Sequence, residues 1–262
     1  MASQDWRYTD VTWPAPLSLP RAIALQAQLH LHNILTLRRM WPYLLLIALP
    51  IVAAAGLARL SLHSDSSVIG RFYHHFAMRA LALCALGLGT AAIRDDAESG
   101  ALPLHLLKPW AVIALPVGRL LAVATLLAAL GMAMTAGTTL SLVGTLYSPE
   151  FGYVVRQLLA AVFGGFAYAA IYLALGAWFK AATALGLVFL VGVDLVAAPY
   201  WDLAGKIAPS HYIGLLVETL PGREIVAAST ADQVPGALIG LTALGLLGAA
   251  LAVWRLKGDV PG

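Results

Sequence analysis

RDDAESGALPLHLLKP, residues 94–109, is the stretch whose reading decides the fold. It gathers Arg94, Asp95, Asp96, Glu98 and Lys108 between two long apolar runs. Hydrocarbon does not accept such a segment, because its charges would lose their hydration without gaining partners. It therefore reads as a polar hinge between two membrane spans. It also carries a short helix-compatible apolar pattern, with Leu102 and Leu106 on one side and Leu107 beside them. This is the expected meeting place of a membrane part with another protein.

The composition agrees. The 262 residues are 60% hydrophobic and 11% charged, against about 25% charged in a soluble domain. Mean hydropathy is +0.82. Long uncharged runs with few charges define an all-α integral membrane protein with several spans. The net charge of +3 is small, so nucleic-acid binding is not expected. Cys84 is the one cysteine and lies in an apolar run, which excludes an intrachain disulfide framework. No apolar run precedes residue 41, so a cleavable signal peptide is not expected. The excess of Arg over Lys, with abundant Ala and Leu, points to a bacterial source.

Outward from the hinge, the chain divides into residues 1–40 and a single six-span domain at 41–257. Residues 1–18 form an irregular arm with Trp6, Trp13, Pro14 and Pro16. Between Leu19 and Met40 the pattern is helical. Ala24, Ala27, Leu31, Ile34 and Leu35 share a face, flanked by Arg21, Gln28, His32 and Arg39. That is an amphipathic helix lying in the membrane interface. The spans are expected at about 41–58, 76–93, 120–146, 155–179, 181–198 and 235–254. Pro42 is expected in the first turn of the first span and Pro50 at its middle. The third uncharged run exceeds the roughly 20 residues a span needs, so it tilts, protrudes or includes a loop. Gly164, Gly165 and Gly176 in the fourth span, and Gly236, Gly240, Gly245 and Gly248 in the sixth, permit close packing.

Lys and Arg set the expected orientation. With the N-terminus inside, Arg7, Arg21, Arg38, Arg39, Arg94, Lys108, Arg119, Lys180, Arg255 and Lys257 lie inside, against Arg59, Arg71, Arg79, Arg156, Lys206 and Arg223 outside. Both termini and the hinge are thus expected in the cytoplasm. Trp41, Trp110, Trp178 and Trp254 fall near inner span ends, as an aromatic belt would.

The hinge resembles that of the permease subunit of ABC-2 type exporters. The matching residues are Asp96 and Glu98, Gly100, Leu102, Leu106 and Leu107, Pro109, and Gly118-Arg119 opening the third span. Ala101 stands where the family usually has Thr, and Pro103 enters the expected coupling helix, whose start it moves to Leu102 with Arg94–Gly100 as an acidic lead-in. The resemblance implies six transmembrane helices, an N-terminal interfacial helix and a cytoplasmic coupling helix between spans 2 and 3. It also implies two ATP-binding cassette subunits as partners, a second permease copy making a homodimer, and the bacterial inner membrane. Arg94, Asp95, Asp96, Glu98, Gly100, Leu102, Leu106, Leu107 and Pro109 would then couple to the partner. The chain has no GxxxxGK[ST] of its own: Gly205-Lys206 is followed by Ile207, and Tyr200 stands where the first glycine should be. ATP and Mg²⁺ would sit on the partner, and this chain would bind no cofactor and be no enzyme itself.

Asp194 falls inside the fifth span. An intramembrane carboxylate is costly, so it either lines the path, pairs with Arg79 or Arg156, or lies at an interface where the helix ends early. Asp194→Leu is expected to impair export without reducing assembly. Beyond it, Ser210 is expected to cap a short helix over HYIGLLVETL that Pro221-Gly222 stops. Asp194, His211, Tyr212 and Glu218 form a candidate path or outer gate. His74 and His75 are adjacent and diverge on a helix, so no metal site is expected. No nucleophile–base constellation appears. Three rivals remain: an ion-coupled secondary transporter using Asp194, a membrane enzyme, and a non-transporting scaffold.

Overall fold

The computed structural model describes residues 18–59, 72–106, 110–142, 151–217 and 224–258. All the secondary structure among them is helical. In order, α1 spans Leu19–Ile34 and α2 Leu37–Arg59. A π-type turn, Tyr73–Ala77, leads into α3, Met78–Glu98. Then come α4, Leu102–Leu106, α5, Ala111–Leu142, and α6, Phe151–Trp178. The next helix, α7, starts as Ala182–Val188 and continues in π-type geometry over Phe189–Ala197. Two short helices follow, α8 at Asp202–Ile207 and α9 at Pro209–Val217, before α10 at Glu224–Lys257.

Among the described residues, five helices are long and apolar enough to cross a membrane: Leu37–Arg59, His75–Glu98, Ala111–Ser141, Val154–Trp178 and Val234–Lys257. The protein is a multi-pass helical membrane protein. At the expected fifth span, 181–198, the helix runs over Ala182–Ala197 and has 16 residues. At α-helical rise that is about 24 Å, short of the roughly 30 Å of hydrocarbon.

Several boundaries move from where hydropathy puts them. The first spanning helix, α2, starts at Leu37, so Pro42 falls in its second turn, and the helix continues through Pro50. The third expected span starts at Ala111, nine residues before Leu120, and runs through a buried Pro116. Its 32 residues measure about 48 Å, longer than the hydrocarbon is thick. The chain enters it through Trp110, whose φ of 67° reverses the backbone. The last helix begins at Glu224, in a segment expected to be loop.

The helices alternate in direction around α6. A Cβ placed on Gly131 would meet Ala161, and one on Gly165 would meet Leu127, so α5 runs against α6. Thr90 touches Gly176, and the Trp178 and Trp254 rings lie 5.4 Å apart, tilted, so α3 and α10 run with α6. A Cβ on Gly248 would stand 2.7 Å from the Ala170 backbone, so α10 needs glycine there to close on α6. Thr183 lies 3.3 Å from Thr90 and Asp194 lies beside Arg79, so α7 runs against α3. The helix α3 is the most enclosed of the five, with Leu81, Ala85, Ala92 and Ile93 in the core.

The N-terminal helix packs differently from expectation. Ala22, Ile23, Gln26, Ala27, His30, Leu31 and Ile34 turn towards the bundle, while Ala24 and Leu35 are exposed. The face is rotated because α1 docks on α5 at Gly118, where a Cβ would come within 2.7 Å of the Ile23 carbonyl oxygen. A backbone oxygen cannot rotate away, so glycine is required. Leu25 and Leu29 remain exposed on the outer side.

Candidate functional site

Two polar sites lie at opposite ends of α3. Arg79 in its first turn belongs to one and Asp96 near its end to the other.

The hinge site forms because α3 outlasts its apolar run. Of Arg94–Gly100, expected as an acidic lead-in to α4, residues 94–98 instead end α3. Carboxylates at a helix C-terminus oppose its dipole, and cations offset this. Arg119, buried on α5, donates to the Asp96 carboxylate and to the Ala92 carbonyl. His105 Nε2 on α4 lies 3.3 Å from the same carboxylate. Arg39 Nη1 lies 3.9 Å from Asp95, and Arg94 Nε donates to Glu98 at 2.7 Å. Gly100, at φ +74°, terminates α3 in the left-handed conformation.

The three acids have different surroundings. Asp96 turns inward, whereas the Asp95 and Glu98 side chains are 57% and 60% exposed. Leu102, expected to project towards a partner, instead packs against the protein's own core. This follows from α4 folding back onto α3 and α5. Leu106 ends α4, and its side chain lies outside the described residues, as do Leu107 and Pro109.

His30 on α1 closes this site from the other side. Its Nε2 is buried without a hydrogen-bond partner. Burial, helped by the Arg119 charge and opposed by Asp96, lowers its pKa to about 4. The imidazole is therefore neutral at neutral pH. Arg119, His30 and His105 were not among the expected site residues. A single arginine at the start of an apolar run was the available signal for Arg119.

The second site centres on Asp194, which is 0% exposed. Tyr168 on α6 donates its hydroxyl to Oδ2 at 2.7 Å, and Arg79 Nη1 stands 3.4 Å from the same oxygen. That separation is long for a hydrogen bond and ordinary for an ion pair. The Ser210 N–H donates to Oδ1 at 3.0 Å, and the Ser210 hydroxyl donates to the Asp194 carbonyl at 3.0 Å. Of the alternatives open in the sequence, pairing with Arg79 is the one observed. The helix continues to Ala197, so Asp194 is enclosed by protein and not left at a frayed helix end. Two donors and a guanidinium suit an anion held in place.

Ser210 is not the N-cap of the following helix. That helix starts at Pro209, so Ser210 lies in its first turn and donates its N–H to Asp194. His211 is exposed, with its ring edge-on to Tyr212 at 5.3 Å, and Tyr212 donates to the Lys206 carbonyl at 3.0 Å. Neither is hydrogen-bonded to Asp194 among the described contacts. Glu218, and the expected helix end near Pro221, lie outside the described residues. Among the described residues no three His, Cys, Asp or Glu side chains converge as a metal-binding group.

An apolar bundle with a charged platform at one end and an enclosed carboxylate at the other defines the class: a polytopic membrane protein with polar sites at its two ends. Compared with known proteins, the chain matches no family model and no curated protein.

Proposed function

We propose that this chain is the membrane-spanning permease of an ABC-2 type exporter. In this reading Ala182–Ala197 is a sixth span, both termini are cytoplasmic, and the membrane is the bacterial inner membrane. ATP is hydrolysed on two separate cassette subunits, and two copies of this chain form the path. The cassettes push on residues 94–109, and the spans rock to open outward.

The observation that carries the reading is the hinge platform. Asp96, Arg119 and His105 tie α3, α4 and α5 together, and α1 braces α5 at Gly118. A push on this end would reach the spans with little lost in local bending. Asp95 and Glu98 remain outward for a partner. The absent phosphate-binding loop supports a separate energy source. The enclosed Asp194 weighs against ion coupling, since its oxygens are already engaged by Tyr168, Ser210 and Arg79.

Reversing Asp95 and Glu98 to Lys tests the reading. The variant should fold and lose its association with an ATPase subunit. Reversing Asp96 is less informative, because that carboxylate serves the fold. Transport that survives ATP depletion but stops with an uncoupler would favour the ion-coupled alternative, and a chain that assembles but moves nothing would favour a scaffold.

A further inference from the structure

The helix α9 is fastened by a residue far from it in sequence. In the last turns of α7, the Ala198 N–H bonds to the Val193 carbonyl, at 2.8 Å, in place of the Asp194 carbonyl. The next candidate donor is residue 199, a proline without an N–H. The Asp194 carbonyl is thus released from its own helix, and the Ser210 hydroxyl occupies it. The Asp194 carboxylate also takes the Ser210 N–H, one of the donors a helix start leaves unmet. Ala208, which precedes the helix, has no side chain able to do so.

Past this fastening, α9 packs on the bundle through apolar side chains. Ile213, Leu216 and Val217 are fully buried, with Ile213 against Gly164 of α6 and Tyr212 against Gly240 of α10. Its other side exposes His211. The Asp194 carboxylate is in turn held by Arg79, at 3.4 Å. Arg79 and Asp96 lie 17 positions apart on one continuous helix, about 26 Å at α-helical rise. Both ends of α3 are therefore clamped by charge, one to α7 and the other to α5.

We propose that Asp194 is a latch holding α9 against the bundle, and that α3 links this latch to the hinge platform. Moving α3 relative to α5 would draw Arg79 from Asp194, loosen the hold on Ser210 and free α9 to lift. The latch would be the distant end of the motion that the proposed function starts at residues 94–109, and it rests on that reading for what drives it.

Hydrogen exchange of the purified full chain, without any ATPase, tests the latch separately from that reading. In Asp194→Asn, amides of residues 209–217 should exchange at least about tenfold faster, while those of α6 keep their protection. Tyr168→Phe should produce a smaller change of the same kind, and serves if the first variant does not fold. Arg119→Gln, at the far end of α3, should also speed exchange at 209–217 selectively. Exchange at 209–217 within about twofold of the parent in Asp194→Asn or, failing its folding, in Tyr168→Phe would overturn the latch. An unchanged rate in Arg119→Gln alone would overturn the link through α3.

Discussion

Asp194→Leu would do more than interrupt transport. From the sequence its effect was expected to spare assembly, but the surroundings of the carboxylate change that expectation. Leucine would leave the Arg79 guanidinium, only 16% exposed, beside an apolar group. It would also leave the Tyr168 hydroxyl and the Ser210 N–H, both buried, without their acceptor. Breaking a buried pair by removing one partner costs about 3–5 kcal/mol. Each stranded donor has its own penalty of about 1–3 kcal/mol. The three groups share one site and relax together, and Arg79 can reach partly towards water. A net loss of about 4 kcal/mol is therefore expected. Against a total of roughly 5–15 kcal/mol, that would deplete the folded protein. Equilibrium unfolding in detergent micelles measures it. The pair variant Arg79→Met with Asp194→Leu should regain at least about 2 kcal/mol, because no cation is left unpaired. A cost below about 1 kcal/mol for the single change, or no recovery in the pair, would refute the view of Asp194 as a buried, satisfied anion.

Other expectations follow from the same contacts. Gly118→Val should cost about 1–3 kcal/mol and part α1 from α5, seen as faster trypsin cleavage at Arg21. The cause is a Cβ forced to within 2.7 Å of the Ile23 carbonyl oxygen. Lowering the pH should destabilise the protein through His30, whose folded pKa of about 4 lies below the ordinary histidine value of 6.5. The unfolded state then binds more protons between these values. His30's contribution is therefore complete above pH 6.5, falls through the window and is gone below pH 4. By pH 5 the loss should be about 2 kcal/mol, and His30→Gln should flatten this part of the stability profile. The exposed pair Lys206 and Asp202, 2.9 Å apart, raises the Lys206 pKa through its hydrogen bond. Asp202→Asn should nevertheless leave thermal stability almost unchanged.

Hydropathy located the apolar runs because the cost of burying charge in hydrocarbon acts on each residue where it stands. It could not locate helix ends, which depend on backbone hydrogen bonds and on partners. Hence α3 continues through Asp95, Asp96 and Glu98, because Arg39, Arg119 and Arg94 compensate their charges there and His105 lies against Asp96. Likewise, α5 begins at Ala111 because α1 covers its protruding turns. Gly100 ends α3 at a positive φ that glycine tolerates. Asp194 stood out for its type and depth. Arg79 was among its expected partners, but Tyr168 and Ser210 were not, because they are 26 and 16 positions away and only folding brings them to one carboxylate. The inward turn of Leu102 was hidden for the same reason: a leucine pattern fixes a face but not what the face meets.

The central claim is that this chain moves substrate with energy supplied by another polypeptide. Mass measurement of the complex purified intact from its own membranes, followed by an ATPase assay on it, tests that claim most directly. The account predicts two copies of this chain with two nucleotide-hydrolysing subunits, and loss of those subunits when Asp95 and Glu98 are reversed to Lys. A transport-competent assembly of this chain without any ATPase subunit would contradict it.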